Sequence, residues 1–187
     1  MPPATPSPLR ITAPALNLPA HSNAEAFGAA IWLWMQMPDH QDLPLRALSA
    51  LLLPAITHQQ YIMAATQCGD QVQPVAYLAW ANLSAEAESR YLHNPARGLA
   101  PEDWNSGDRM WFTDWFTPFG HAKAFHAALK ELLPTGCARA LYHRGNERGM
   151  RVLTFRGKTV SAAQAQQWWR ERPMLAYRPA TTTHPSV

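Results

Sequence analysis

The chain has 187 residues, of which 47% are hydrophobic and 16% charged, and its formal net charge is +3. This length and composition fit one folded domain and exclude a wholly disordered chain. No apolar run is long enough to cross a bilayer, two cysteines are too few for a disulfide framework or a thiolate metal site, and the small net charge does not by itself indicate nucleic-acid binding. We therefore expect a cytoplasmic protein with no membrane span, no bound metal and no nucleic-acid partner.

The first 23 residues have the composition of a flexible tail, because they hold six of the seventeen prolines and no acidic residue. Ser22 and Glu25 then fit a capping box, which predicts a helix that begins there and runs to about Met37. Pro38 ends this helix, since the residue before a proline is disfavoured in helical conformation. The helix carries two tryptophans and is apolar nearly all round, so we expect it to be buried.

A short turn containing His40 leads into a second predicted helix, which Asp42 caps and Pro54 ends. The later elements, in chain order, are predicted as strands over 61–68 and 74–81, a helix over 84–91, a strand over 109–117, a helix over 121–133, strands over 138–144 and 150–156, and a helix over 161–172. This order predicts an α/β (α+β) fold with a mixed β-sheet flanked by helices. We expect a single domain over residues 24–172 and a flexible C-terminal tail over 173–187.

Asp114 is the most informative carboxylate, because it falls in the middle of the strand predicted over 109–117. Strict alternation places it on one face with Met110, Phe112 and Phe116. Two interpretations stay open, since a carboxylate among apolar side chains costs free energy unless something offsets it. In the first, Asp114 is structural, either on the polar face of a half-exposed strand or bound to backbone amides. In the second, it is the acid that orients a catalytic histidine.

His40 differs in position from the other seven histidines of the chain. It lies on a tight connection, between Asp39 and Asp42, directly after a helix that is expected to be buried. Loops held by a rigid scaffold are where catalytic groups concentrate. His40 is therefore the histidine that we predict to work with Asp114.

Basic residues are concentrated near the C-terminus, where eight of the sixteen lie between Arg139 and Arg172 against two acidic residues. This positive stretch is either a solvated sheet edge that discourages aggregation or a surface that steers an acidic partner. The chain has no glycine-rich phosphate loop and no G-x-S-x-G elbow, which disfavours a bound nucleotide and a serine hydrolase of the α/β type.

Several motifs carry a family resemblance: Trp32-Leu33-Trp34, Pro38-x-His40, Trp80-Ala81-Asn82-Leu83-Ser84 and, above all, Asp103-Trp104-x-Ser106-Gly107-Asp108-Arg109-x-Trp111-Phe112-x-Asp114-Trp115-x-x-Pro118-Phe119-Gly120. Over about residues 27 to 160 the chain resembles the toxin-activating lysine acyltransferases, which activate RTX pore-forming protoxins of Gram-negative bacteria. The resemblance implies transfer of a fatty acyl chain from acyl carrier protein to internal protoxin lysines, in the cytoplasm. It also implies a GNAT-like fold, a homodimer and no permanently bound cofactor.

The resemblance also implies the catalytic residues, because the family's essential histidine falls on His40 and its essential aspartate on Asp114. We expect His40 to act as general base on the lysine amine, and Asp114 to hold the imidazole's tautomer. Some members carry a serine where this chain has Met37 and a cysteine where it has Leu78. A covalent acyl-enzyme through either of these positions is therefore excluded here.

Further substrate-binding residues are expected on the same basis. The candidates for lining an acyl channel are aromatic, although core packing is the commoner role of such side chains: Trp111, Trp115, Phe116 and Phe119. The backbone amides from Thr117 to Gly120 are candidates for stabilising the oxyanion. The N-terminus of the helix that follows is the candidate for binding the pantetheine phosphate. The basic candidates for docking the acidic acyl carrier protein are Arg139, Arg144 and Arg151.

Two other functions stay open from the sequence. One is a non-catalytic protoxin chaperone or acyl-binding module, which has no need of His40 or Asp114. The other is an acyl thioesterase, in which water takes the place of the lysine amine.

Overall fold

The computed structural model describes residues 8–41, 43–93, 98–142 and 151–174. The helices and strands in this part of the chain are β1 Arg10–Thr12, α1 Asn23–Trp34, α2 Leu45–Thr57, β2 Tyr61–Cys68, β3 Gln71–Leu83, α3 Ala85–His93, β4 Arg109–Phe116, α4 Ala122–Leu132, β5 Cys137–Tyr142, β6 Arg151–Arg156 and α5 Ala162–Glu171. A 3₁₀ turn over Pro38–His40 joins α1 to α2.

The strands form one sheet in the order β1-β2-β3-β4-β5-β6. All neighbouring strands are antiparallel except β4 and β5, which are parallel. Parallel neighbours need a crossover connection, and α4 provides it. The predicted mixed α/β sheet flanked by helices is confirmed, whereas the GNAT-like label stays a prediction.

Helices cover both faces of this sheet. On one face, Leu33 of α1 and Leu52 of α2 are fully buried in a cluster that includes Tyr77 of β3. On the other face, Phe125 of α4 is fully buried in a second cluster with Phe112 of β4. Burial of large apolar side chains on both faces is the main stabilising contribution to such a fold.

The predicted N-terminal tail is wrong over part of its length. Arg10–Thr12 pair with β2 as an edge strand, and Ala13 is fully buried. The proline-rich composition concealed this strand because prolines are tolerated beside a short edge strand and in turns. Residues 1–7, and the part of the predicted C-terminal tail beyond Met174, lie outside the described residues.

Two helix ends also differ from prediction. The capping box is confirmed, since the Glu25 amide donates to Ser22 Oγ at 3.2 Å and the Ser22 amide donates to Glu25 Oε2 at 2.9 Å. However, α1 ends at Trp34 rather than near Met37, and α2 continues through Pro54 to Thr57. Core packing beyond the proline offsets the backbone hydrogen bond that a proline removes.

Candidate active site

Strand β4 contains one extra residue relative to β3. Ala79 pairs with Asp114 while the next residue, Trp80, pairs with Phe112, so Thr113 is left without a partner in the ladder. This is a β-bulge, a feature that bends a strand and changes the direction of its side chains. The bulge lies in the middle of the strand that carries the candidate acid.

The bulge overturns the predicted faces of β4. Trp111 and Phe116 both pack in the cluster beneath α1 and α2, although strict alternation puts them on opposite faces. Phe112 packs in the cluster beneath α4, with Met110 against it. Because one inserted residue moves every later side chain to the other face, the predicted grouping of Asp114 with Met110 and Phe112 is wrong.

His40 ends the 3₁₀ turn after α1, where it is half-buried. Its imidazole stacks on the indole of Trp34, with ring centroids 4.5 Å apart and planes 9° apart. The ring of Phe116, at the end of β4, lies 6.3 Å from the imidazole at 60°. The backbone amide of His40 donates to the Met37 carbonyl at 3.0 Å, so both the turn and the ring are held in place.

Asp114 lies two residues before Phe116 and pairs with a β3 residue of the cluster beneath α1 and α2, so it is on the same side of the sheet as His40. Burial raises the pKa of its carboxyl group from 3.8 to about 7. Burial, and after it the charge of Asp114, also raise the pKa values of the Tyr77 and Tyr91 hydroxyls. A carboxyl group with a raised pKa of this kind is typical of functional sites.

A cavity of about 140 Å³ opens beside this acid. Besides Thr113 and Asp114 of β4, its walls include Ala50, Leu51, Tyr91, Leu99 and Trp104. Two of these wall residues carry buried polar atoms without a hydrogen-bond partner among the described residues, namely Thr113 Oγ1 and Trp104 Nε1. Buried polar groups are nearly always paired, so each of these two atoms carries a cost that the described residues do not offset.

Trp111 and Arg139 lie at another place in the sheet, where both contact Glu88. The Trp111 Nε1–H and the Arg139 guanidinium each donate to Glu88 Oε1 at 2.8 Å, and Arg109 donates to Glu88 Oε2 at 2.8 Å. Glu88 is fully buried and Arg139 is 3% exposed. Arg139 is therefore not part of an exposed docking surface, and Trp111 is held in the core rather than in an acyl channel.

The aromatic candidates Trp115 and Phe119 also lie at different positions in the fold. Trp115 faces α4, with its ring 6.1 Å from that of Phe125, so it lies on the side of the sheet away from His40. Phe119 is exposed and stacks obliquely on exposed Trp32, with ring centroids 5.4 Å apart. Gly120 adopts a positive φ of 80°, and its amide donates to the Thr117 carbonyl at 3.3 Å.

Two basic candidates remain, Arg144 and Arg151. Arg151 is exposed at the start of β6. Arg144 lies outside the described residues. In the part of the chain that the structure describes, no three His, Cys, Asp or Glu side chains are grouped so that they could hold a metal ion. None of the described helices is long and apolar enough to span a membrane.

Comparison with known proteins identifies the family. A family model described as HlyC, the RTX toxin acyltransferase family, matches residues 20–156, a range that includes both His40 and Asp114. The chain belongs to the RTX toxin acyltransferase family. The resemblance derived from the sequence motifs is thereby confirmed.

Relatives within the RTX toxin acyltransferase family match most of the chain. The protein-lysine palmitoyltransferase CyaC of Bordetella bronchiseptica is 38% identical over 156 residues, which cover 82% of this chain and 81% of that protein. The protein-lysine myristoyltransferase RtxC of Kingella kingae is 36% identical over 140 residues, which cover 75% of this chain and 81% of that protein. The leukotoxin-activating lysine-acyltransferase LtxC of Aggregatibacter actinomycetemcomitans is 36% identical over 148 residues, which cover 79% and 84%.

Three residues near Asp114 were not predicted from the sequence. Tyr77 and Tyr91 lie close enough for the charge of Asp114 to act on their hydroxyls, and Thr113 forms the bulge. Tyr91 follows Glu88 by three residues, so helical spacing could have placed it on the buried face of α3. No sequence signal indicates the bulge, because Thr113 fits strict alternation as well as its neighbours do.

Proposed function

We propose that this chain is a protein-lysine acyltransferase that transfers a fatty acyl group from acyl carrier protein to internal lysines of an RTX protoxin. The proposal is supported by membership of the RTX toxin acyltransferase family and by relatives whose names describe lysine acylation and toxin activation. The observation that carries it is the pair of candidate groups, an imidazole and a carboxyl group of raised pKa, at one end of β4 on one side of the sheet.

The reaction joins the lysine Nζ to the acyl carbonyl carbon and breaks the carbon–sulfur bond of the thioester. The protonated lysine loses two protons, one before it attacks and one from the tetrahedral adduct; one of the two is delivered to the departing thiolate and the other is released to solvent. A lysine amine has a pKa near 10.4 in water, so at neutral pH it must lose a proton before it attacks. We assign this proton transfer to His40, and the orientation and charge stabilisation of the imidazole to Asp114.

The acyl chain needs an apolar surface close to His40. Trp32 and Phe119 form an exposed aromatic pair, and Met35 lies exposed just beyond the end of α1. Exposed large apolar side chains grouped in this way are typical of binding surfaces. We assign the acyl chain to this surface, which retains Phe119 among the predicted substrate-binding residues and adds Trp32. Gly120, which follows Phe119 in the chain, remains our candidate for contacts to the thioester oxyanion.

The acyl donor, the assembly and the location rest on the family resemblance. We propose acylated acyl carrier protein as donor, docked through exposed basic residues of β6 with Arg151 among its contacts, and a cytoplasmic homodimer as the working form. A docking surface of this kind depends on attraction between opposite charges, so donor binding should weaken as ionic strength rises.

The experiment is an intact-mass measurement of an RTX protoxin that is incubated with acylated acyl carrier protein, with and without this protein. The expected result is a mass increase of one or more acyl groups on lysines, only when this protein is present. Protoxin binding without a mass change would indicate a chaperone. Release of fatty acid without protoxin acylation would indicate a thioesterase. Either result would contradict the proposal.

A further inference from the structure

The cavity beside Asp114 is too small for a fatty acyl chain. Its volume is about 140 Å³. An apolar protein cavity of about 150 Å³ takes one benzene molecule, which is about six heavy atoms. A myristoyl or palmitoyl chain is far larger, so this cavity cannot hold the whole of such a chain.

The walls of the cavity match a different part of the reaction. Leu51 and Leu99 supply apolar surface, and Tyr91 and Trp104 supply aromatic rings. Asp114 supplies a carboxyl group at the β4 side. An apolar stem that ends in a cation needs this combination, because a buried ammonium group is costly unless a carboxylate or an aromatic ring compensates for it.

The β-bulge places a further polar group next to this combination. Thr113 Oγ1 is buried without a hydrogen-bond partner among the described residues, and Thr113 lines the cavity directly beside Asp114. A hydroxyl group accepts a hydrogen bond from an amine in either of its protonation states. The hydroxyl is shielded from the cavity in this structure, so an amine at Asp114 would reach it only if the Thr113 side chain turned.

We propose that this cavity receives the side chain of the acceptor lysine, with its methylenes between Leu51 and Leu99 and its Nζ at Asp114. A lysine side chain has a stem of four carbons and one nitrogen, which fits the volume. This inference rests on the proposed function and extends it. The lysine then enters beside α2, and the acyl chain lies along Trp32 and Phe119.

The acceptor-lysine assignment can be tested by filling the mouth of the cavity. Ala50 lines the cavity but is exposed, so Ala50→Phe can occupy the entrance without disturbing the core. Ser49→Phe adds the same ring to the neighbouring exposed position of α2, which does not line the cavity. The variants are compared in an acyl-transfer assay. Its acceptor is Nα-acetyl-lysine methylamide, and its donor is acylated acyl carrier protein.

We expect Ala50→Phe to raise the KM for the lysine acceptor at least tenfold and to leave the KM for the donor unchanged. Ser49→Phe should leave both constants unchanged. A raised donor KM or a shortened acyl-chain preference in Ala50→Phe, with an unchanged acceptor KM, would assign the cavity to the acyl chain and overturn the inference. Unchanged values of both constants would overturn it as well.

A binding measurement separates this inference from the proposed function. We expect n-butylamine to shift the NMR signals of the Tyr91 and Trp104 rings in the wild-type protein and in Ser49→Phe, but not in Ala50→Phe. The uncharged analogue n-butanol should bind at least tenfold more weakly. Amine binding by a protein that acylates no lysine would contradict the proposed function alone, whereas acylation without amine binding would contradict the cavity assignment alone.

Discussion

Two carboxyl groups on the same side of the sheet, those of fully buried Glu88 and half-buried Asp114, have opposite surroundings. Glu88 of α3 receives hydrogen bonds from Arg109, Trp111 and Arg139, all at 2.8 Å. Asp114 instead lines a cavity, and burial raises the pKa of its carboxyl group to about 7. The hydrogen bonds to Glu88 offset the free-energy cost of burying its charge. The raised pKa of Asp114 shows that the cost of burying its charge is not offset.

The difference indicates what each group is for. A buried carboxylate with several charged donors ties elements together, and Glu88 joins α3 to β4 and β5. The same cluster holds the C-terminal segment, since Arg109 also donates to the Pro173 carbonyl. A carboxyl group with a raised pKa beside a cavity is typical of sites that bind or react, because its cost is recovered only when a ligand arrives. Each of the following variants should separate these two roles.

The largest expected effect is on the rate of acyl transfer. Asp114→Asn should lower the rate about 10² to 10⁴-fold, the range that general acid–base assistance supplies, and His40→Ala should lower it by a similar factor. Initial rates of protoxin acylation measure this effect. Urea unfolding of Asp114→Asn should show a native state no less stable than the wild type at pH 8. A rate close to wild type in both variants would exclude these residues from catalysis.

The next effect is on stability and concerns the other carboxylate. Glu88→Ala leaves Arg109 and Arg139 buried without their counter-ion, so the free energy of unfolding should fall by about 3 to 5 kcal/mol. Glu131→Ala is the control, because its ion pair with Lys158 is exposed and should contribute far less. A small loss in Glu88→Ala, similar to that of the control, would show that the cluster does not stabilise the fold as described.

The architecture could be predicted because its signals are local. The capping box predicted at Ser22 is formed, and the helix predicted from residue 161 also begins with a capping box. The alternating strands and the helix between β4 and β5 likewise follow from nearby residues, which is why the mixed sheet was expected. The edge strand over Arg10–Thr12 was missed, because its formation depends on β2, which lies fifty residues further along the chain.

The site was only partly predictable. His40 and Asp114 stood out by position and by resemblance, but the face of Asp114 was predicted wrongly because it depends on the bulge at Thr113. The register of β3 against β4 fixes that bulge, and periodicity within one strand contains no information about it. Arg139 was predicted to be exposed because its charge was visible, whereas its partner Glu88 lies on a distant helix.

A third expectation concerns pH. The folded pKa of Asp114 is raised, so its ionised form opposes folding: the cost is absent below about pH 4, grows as pH rises and is complete above about pH 7. Relative to the wild type, Asp114→Asn should therefore gain stability between pH 4.5 and pH 8, by about 2 to 4 kcal/mol for a shift of roughly three pKa units. Urea unfolding of both proteins at the two pH values measures the gain. A difference that does not change with pH would contradict the raised pKa.

The smallest expected effect comes from the bulge residue and sharpens the same comparison. Thr113→Val keeps the shape of the side chain and removes a buried hydroxyl that has no partner among the described residues. Because an unsatisfied buried polar group costs about 1 to 3 kcal/mol, the variant should be more stable than the wild type by about 1 kcal/mol. Exposed Thr154 on β6 supplies the control, Thr154→Val, which should change little. If Thr113→Val is instead less stable, the hydroxyl is already satisfied by ordered water. A second outcome is that Thr113→Val is more stable and that its KM for the lysine acceptor rises a few-fold. The Thr113 hydroxyl then lowers stability and contributes to substrate binding, as we propose for Asp114.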